Sequence, residues 1–503
     1  MTLDRFRDEP WRTSHPAYVG SALAMSPAPE YASSEVILSS LYRHVGMAGA
    51  SERTVPSQGR ELDRRMQKAR DKGTKPQGAI LDGNGMQALL HSVLESPKLP
   101  NQSSKRFVQV TPLVPAAGAF SGSARLSSNS WPAGALVRRM IWIGSASPEQ
   151  ASAIWRRLFE SLSISAGDDV FARFLQSEFT AWLPQEEWNL LEPSGEPMLD
   201  AADLAGGDYP ARRFVRDLDA IINAKPAMTR RQWVSLLEAV SRLAAVSHVA
   251  WTCEIHRNIW LLLQANLQGS PALTVDEVRK RVFRSEFRFV SYADRALPAM
   301  KDRAAGFLQA RIGLNALLWW LDKQGSPVKS LSTGADIALL ASFIASGMRS
   351  GDRDELRSLI AEVTERETRT LLCKKGIGSN IMEFARHVLG QRQAANPVLR
   401  GYDQGFVLRK RGTSNASPWV VALGPVAVLA LVHCALARTT GPRSVRRLAQ
   451  HLAAYGIAVD HRDMANNDLG QQLRMLGLVL DSPDAESGML LVPPFPLVQD
   501  EAA

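Results

Sequence analysis

A mainly α-helical, multi-domain fold is predicted by three observations. The chain has 503 residues, more than one hydrophobic core ordinarily serves, which points to about three domains. From residue 147 onward, oxygen-bearing caps recur with Glu or Gln three residues later: Ser147 with Gln150, Thr229 with Gln232, Thr274 with Glu277 and Asp352 with Glu355. Such boxes satisfy the free N–H groups of a first helical turn. Apolar residues at helical spacing follow, as in Ile154, Trp155, Leu158, Phe159 and Leu162, or Trp233, Leu236, Leu237, Val240 and Leu243.

Composition divides the chain into four stretches. Residues 1–135 are basic and loop-rich, with Ser, Gly, Pro and Ala clusters that favour loops over long helices. Short strands are expected in "RFVQVTPLV" and, just beyond, in "LVRRMIWIG". Between Arg60 and Lys75 lie seven basic residues against three acidic ones, whose plain reading is a solvated face. Residues 136–345 read as a helical domain whose aromatics (Trp155, Phe171, Phe174, Trp182, Trp251, Trp260, Trp319, Trp320) belong to its core. Residues 346–400 form a further helical segment, and 401–503 a C-terminal domain.

The overall balance excludes more than it identifies. Hydrophobic residues make up 45% and charged ones 22%, a globular composition. Lys and Arg number 59 against 50 Asp and Glu, a net +9 that favours acidic partners, nucleic acid foremost. Three cysteines, Cys253, Cys373 and Cys434, are too scattered for a disulfide framework and suit a reducing cytoplasm. The charged start "MTLDRFRDEPWR" is not a secretory signal. The uncharged stretch 418–437 is long enough to span a bilayer, but Gly424 and Pro425 cut it into a short buried strand, Trp419 to Leu423, and a core helix with a first-turn proline. No membrane partner is therefore expected.

Catalytic motifs are absent from the sequence. It contains no GxxxxGK[ST], HExxH or GxSxG, so nucleotide hydrolysis, zinc proteolysis and α/β-hydrolase chemistry lack their usual parts. His248, Cys253 and His256 invite a metal reading. On one helix, however, His248 and Cys253 point about 140° apart and do not close on one ion. The expectation is a non-enzymatic chain with no cofactor and no metal; a nuclease with dispersed carboxylates stays open as a lesser alternative.

Basic residues supply the candidate site. Arg279, Lys280, Arg281, Arg284 and Arg288 fall on about half the circumference of a helix extended through this stretch, leaving Val278, Val282 and Phe289 to pack. Guanidinium groups so arrayed bind phosphates without reading sequence. The plainer alternative is an exposed helix without a partner. In "LLCKKGIGSNIMEFARHVLG", Gly376-Ile377-Gly378 opens a helix after another helix and resembles the hairpin of helix-hairpin-helix motifs. The resemblance implies backbone N–H groups of Gly376, Gly378 and Ser379 at a DNA phosphate, with Lys374 and Lys375 as counter-charges. The small residue usual in the second helix's first turn is replaced by Ile381 and Met382, and a glycine C-cap joining two helices is the other reading.

At the C-terminus, "GPVAVLALVHCALARTT", "SVRRLAQHLAAYGI" and "NDLGQQLRMLGL" read as three helices, followed by two strands around a turn in "LVLDSPDAESGMLLVPPF". This order resembles the winged helix-turn-helix superfamily over about 75 residues at the level of fold. Val445, Leu448, Leu452 and Tyr455 give the second helix an apolar stripe; Leu469, Leu473 and Leu476 do so for the third. The resemblance implies that Gln471, Gln472 and Arg474 face outward from the recognition helix, where Gln and Arg suit base edges.

Charge gives this domain two faces. From Gly441 onward there are five Arg and no Lys against eight carboxylates, with Asp481, Asp484 and Glu486 in the wing. Between Arg400 and Arg447 the balance reverses: Arg400, Arg409, Lys410, Arg411, Arg438, Arg443, Arg446 and Arg447 face only Asp403. The sequence thus predicts a cytoplasmic, DNA-engaging adaptor that binds double-stranded DNA with weak sequence preference. It would belong to a larger bacterial assembly, of the kind that serves genome defence or mobile elements, beside an ATPase or nuclease subunit. A winged-helix scaffold that docks only protein is the competing reading.

Overall fold

The computed structural model describes residues 2–25, 34–94, 110–122, 132–184, 187–193, 195–204, 207–284, 286–390, 405–412, 414, 416–438, 441–481 and 489–497. The chain is mainly helical. Its first part holds α1 (Thr2–Asp8), α2 (Pro16–Val19), α3 (Ser34–Gly46), α4 (Val55–Lys72), α5 (Gly83–Ala88), α6 (Pro115–Gly118) and α7 (Ala133–Gly144). The basic run 60–75 lies on α4, whose buried stripe is Leu62, Met66 and Ala69. Strand was expected at 136–144, and α7 stands there instead. Val137, Met140, Ile141, Trp142 and Ile143 are buried almost all round that helix, so no polar face marks its period. Of the other expected strand, residues 106–109 lie outside the described residues, and 110–114 form a single bridge and a bend.

The middle is built from α8 (Pro148–Leu162), α9 (Val170–Trp182), α10 (Pro210–Ala224), α11 (Arg230–Leu267), α12 (Val275–Val282), α13 (Ala296–Lys323) and α14 (Gly334–Ser342). Helix α11 starts on a full capping box: Thr229 Oγ1 accepts from Gln232 N, and Gln232 Oε1 accepts from Thr229 N. At 38 residues it spans about 57 Å at 1.5 Å per residue. It is buried on nearly every side, with α10, α13 and later helices packed around it. Then follow α15 (Ser350–Arg366), α16 (Thr368–Leu371) and α17 (Gly376–Leu389). Asp352, expected to cap α15, sits in its first turn; the helix begins one residue after Arg349, whose N–H donates to Asp352 Oδ2.

The last stretch holds α18 (Pro425–Leu436), α19 (Val445–Ala454) and α20 (Asp468–Met475). Short strands complete it among the described residues: β1 (Val290–Ser291), β2 (Leu408–Lys410), β3 (Trp419–Val421), β4 (Ile457–Ala458), β5 (Val479–Asp481) and β6 (Met489–Leu491). Antiparallel pairs join β2 with β3 and β5 with β6, while β1 runs parallel to β4. Ser444, between α18 and α19, bridges antiparallel to Leu490 of β6. Val445, Leu448, Leu452, Tyr455, Leu469 and Leu473 are buried, as their stripes predicted, while Leu476, expected on the same stripe, is only partly buried.

One contiguous set of buried apolar side chains runs from Phe6 to Leu491. The C-terminal stretch is tied into it by α18 on α10 and α11, and by β4 on β1. Residues 418–437 form β3 and the buried α18, and among the described residues no helix is long and apolar enough to cross a membrane.

Candidate nucleic-acid interface

The β2–β3 hairpin is fastened at both edges. On one side Val407 N donates to Leu389 O at 2.8 Å, and Gly390 bridges to Leu408, fixing it to the end of α17. On the other, Ala293 N donates to Val421 O at 3.0 Å, Val421 N donates to Asp294 O at 3.1 Å, and Arg295 bridges to Val420. Arg242 of α11, 1% exposed, braces the joint from below by donating to the carbonyls of Val388 and Gly390. A guanidinium there satisfies the open carbonyls and meets the negative end of the α17 dipole.

These ties bring together three cations far apart in sequence. Arg295 at the start of α13, Arg386 in the last turn of α17 and Lys410 at the end of β2 line one groove of about 610 Å³, with Ser417, Pro418 and Trp419 on its wall. Arg409 and Arg411 flank Lys410 and are exposed. Glu383 holds Arg386 in an ion pair, and a hydrogen bond with His387, followed by the Arg386 charge, keeps the Glu383 carboxyl below its ordinary range.

A second basic cluster stands at the other end of α17. Lys374 and Lys375 are exposed in the turn from α16. Lys301 of α13 lies near enough to Cys373 for its charge to oppose the upward push that burial gives the thiol. From Gly376 to Arg386 the helix advances about 15 Å, so the two clusters are separated by roughly four base-pair rises of a duplex.

The glycines of this turn have different tasks. Gly376 adopts φ +56°, a left-handed conformation that favours glycine. A Cβ on buried Gly378 would lie 2.4 Å from Thr370 O. Gly378 therefore lets α17 start hard against the end of α16, while Gly376 is exposed.

The expected basic helix from Arg279 to Arg288 requires correction. Helix α12 ends at Val282, so only Arg279, Lys280 and Arg281 are on it. Phe287 and Phe289 are buried alternately with exposed Arg288, the two-residue period of extended chain. Phe289 N donates to Gly456 O at 2.7 Å as the segment enters β1. Arg279 is bound to Asp203 at 2.8 Å and lies near Asp200 and Asp276, which makes it a packing cation. Lys280, Arg281 and Arg284 are exposed, and Arg288 donates to Ser291 Oγ.

In the C-terminal stretch, Arg443 accepts through its carbonyl from Leu491 N, and the side chains of Arg443 and Arg446 are both exposed. Arg447 is half-buried and lines a separate cavity. Gln471 is exposed, but Arg474 is held by Asp481 at 3.2 Å and donates to Ala465 O at 2.7 Å. Asp484 and Glu486 lie outside the described residues.

Comparison with family models, with curated proteins and with solved structures yields no match. The site rests on its own geometry. Arg295, Arg386 and Lys301 were not singled out in the sequence, because no local pattern joins them to Lys410. Among the described residues, no group of three or more His, Cys, Asp or Glu is placed to hold a metal ion.

Proposed function

We propose that this chain is a non-enzymatic, DNA-engaging subunit that grips duplex backbone along α17 and the β2–β3 hairpin. The observation that carries the reading is the convergence of Arg295, Arg386 and Lys410 on one groove. The Arg295 guanidinium and the Lys410 ammonium match phosphate oxygens and carry no base readout, and Arg386, paired with Glu383, adds its remaining donors. The second cluster, Lys301, Lys374 and Lys375, extends the contact along the backbone.

The C-terminal stretch is read as a winged helix. Its support is the order α18, a bridged residue at Ser444, α19, α20 and the β5–β6 hairpin, with Ser444 paired to β6. Its exposed face favours protein over DNA: Met475 on α20 is 78% exposed and Leu480 on β5 63%, and Arg474 is already paired. This face is the second reading, a docking surface for a neighbouring subunit.

The test is fluorescence anisotropy with two short duplexes of unrelated sequence. Both are expected to bind with similar affinity. With roughly six phosphate contacts, affinity falls about a thousandfold between 50 and 200 mM salt. Absence of binding at low salt overturns the proposal.

A further inference from the structure

A second cationic site lies away from the groove, where α10, α18 and α19 meet. It is a cavity of about 400 Å³ lined by Arg213 and Arg216 of α10, Arg438 just past α18, and Arg447 of α19, with His433 and His451 between them. Among the described residues lining it there is no carboxylate. The carboxylates sit behind the arginines and hold them: Asp208 takes Arg213 and Arg216, and Asp219 takes Arg157 and Arg438, the latter at 2.7 Å. Asp217 Oδ2 lies 2.9 Å from His451 Nε2 without the alignment of a hydrogen bond. Among the described residues, four guanidiniums line the cavity, and the carboxylates that hold Arg213, Arg216 and Arg438 lie behind its wall.

Arg213, His433 and His451 line the cavity, with His433 and His451 each 2% exposed. Arg213 Nε, His433 Nδ1 and His451 Nδ1 are buried without a hydrogen-bond partner, while the His433 ring keeps a hydrogen bond with the Ala220 backbone. Burial keeps the His433 pKa below its ordinary value, so at neutral pH its ring is a neutral hydrogen-bonding group. Arg438 is held at φ +53°, left-handed backbone that a non-glycine residue adopts at a cost. Its guanidinium pairs with Asp219 and lines the cavity.

We propose that this cavity binds a phosphate monoester dianion carried on a small organic group, of the size of a mononucleotide. Several arginines from three elements suit the three oxygens of such a group, which arginine engages in bidentate fashion. A phosphomonoester carries close to two negative charges at pH 7. The volume lies in the range of small-ligand sites and exceeds what a bare anion fills. A terminal 5′-phosphate of a nucleic-acid strand has the same chemistry, and the experiment separates the two sources.

The full chain is titrated with a nucleoside 5′-monophosphate, with the nucleoside alone, with inorganic phosphate, and with a short strand bearing or lacking a 5′-phosphate. Thermal unfolding and calorimetry are the readouts. The monophosphate is expected to bind and raise the melting temperature, and the nucleoside to do neither. The Arg216→Gln, Arg438→Gln variant alters two arginines that are 59% and 64% exposed in their side chains. It is expected to keep the ligand-free melting temperature and to bind the monophosphate at least about tenfold more weakly. Tighter binding of the 5′-phosphorylated strand than of both the monophosphate and the strand lacking the 5′-phosphate, lost in the variant, reassigns the source to nucleic acid and overturns the small-molecule assignment. Equal binding of nucleoside and monophosphate, no binding of any phosphate, or unchanged affinity in the variant overturns the site. Duplex binding at the α17 groove is measured on the same variant and is expected to persist, so either proposal can fail alone.

Discussion

Tyr455, the C-cap residue of α19, donates its hydroxyl proton to Asp217 Oδ2 of α10 at 2.7 Å, with both residues buried. The bond fastens the C-terminal helices to the body through a carboxylate that has little access to water. Tyr455→Phe removes that donor at nearly constant volume, and it is expected to cost about 1–3 kcal/mol in urea unfolding. Burial first, and then the Asp217 charge, raise the Tyr455 pKa well above its ordinary value. The folded state therefore holds the phenol proton more tightly than the unfolded one. Stability from this group is complete below about pH 10 and falls as the pH rises past it. A variant as stable as the native chain contradicts the bond.

Leu452 of α19 is 0% exposed. Leu452→Ala is expected to cost about 2–5 kcal/mol through lost burial and a residual cavity. Met475→Ser, at a position 78% exposed, is expected to change stability by less than about 0.5 kcal/mol. Equal melting temperatures for the two variants contradict the packing of α19.

The turn before α17 separates backbone strain from steric closeness. Gly378→Ala places a Cβ 2.4 Å from Thr370 O and is expected to cost about 1–3 kcal/mol by forcing α16 and α17 apart. Gly376→Ala makes only an ordinary contact, 3.7 Å from the Thr370 side chain, but holds alanine at φ +56°, an expected cost of about 1 kcal/mol. Chemical denaturation ranks them. Greater destabilisation by Gly376→Ala contradicts this assignment.

His256 in the middle of α11 makes stability depend on acid. Burial, aided by the charges of Arg311 and Arg139 and opposed by a hydrogen bond to the Thr252 carbonyl, lowers its pKa to about 4. The folded state favours the neutral ring. Its contribution is complete above about pH 6.5 and is lost as the pH falls toward 4, by about 3 kcal/mol at the lower end. Unfolding free energies across that window are expected to decline with acid, and His256→Leu to flatten the decline. A native profile that is already flat contradicts the buried neutral ring.

How far the sequence carried the fold depended on how local each signal was. Thr229 with Gln232 and Thr274 with Glu277 announced α11 and α12, because a capping box is complete within four residues. The leucines of α19 and α20 marked their buried stripes for the same reason. The end of α12 was missed because Val282 and Phe289 also fit a helical stripe. The alternation of Phe287, Arg288 and Phe289, which the extended chain before β1 shows, is only three residues long. Helix α7 was missed because burial on all sides erases its period. Of the site, Lys374, Lys375 and the Arg409–Arg411 run were visible as charge. Arg295 and Arg386 acquire a role only when the hairpin is pinned between α13 and α17, a relationship that no local pattern encodes.

The salt dependence of duplex binding, compared between the native chain and an Arg295→Gln, Lys410→Gln variant, tests the backbone-gripping groove most directly. Each lost phosphate contact lowers the slope of log affinity against log salt by about 0.9. The variant is expected to bind every duplex more weakly, with a slope smaller by about 2 and an unchanged melting temperature. An identical slope and affinity in the two proteins, with the fold intact, would contradict the assignment of the groove to DNA.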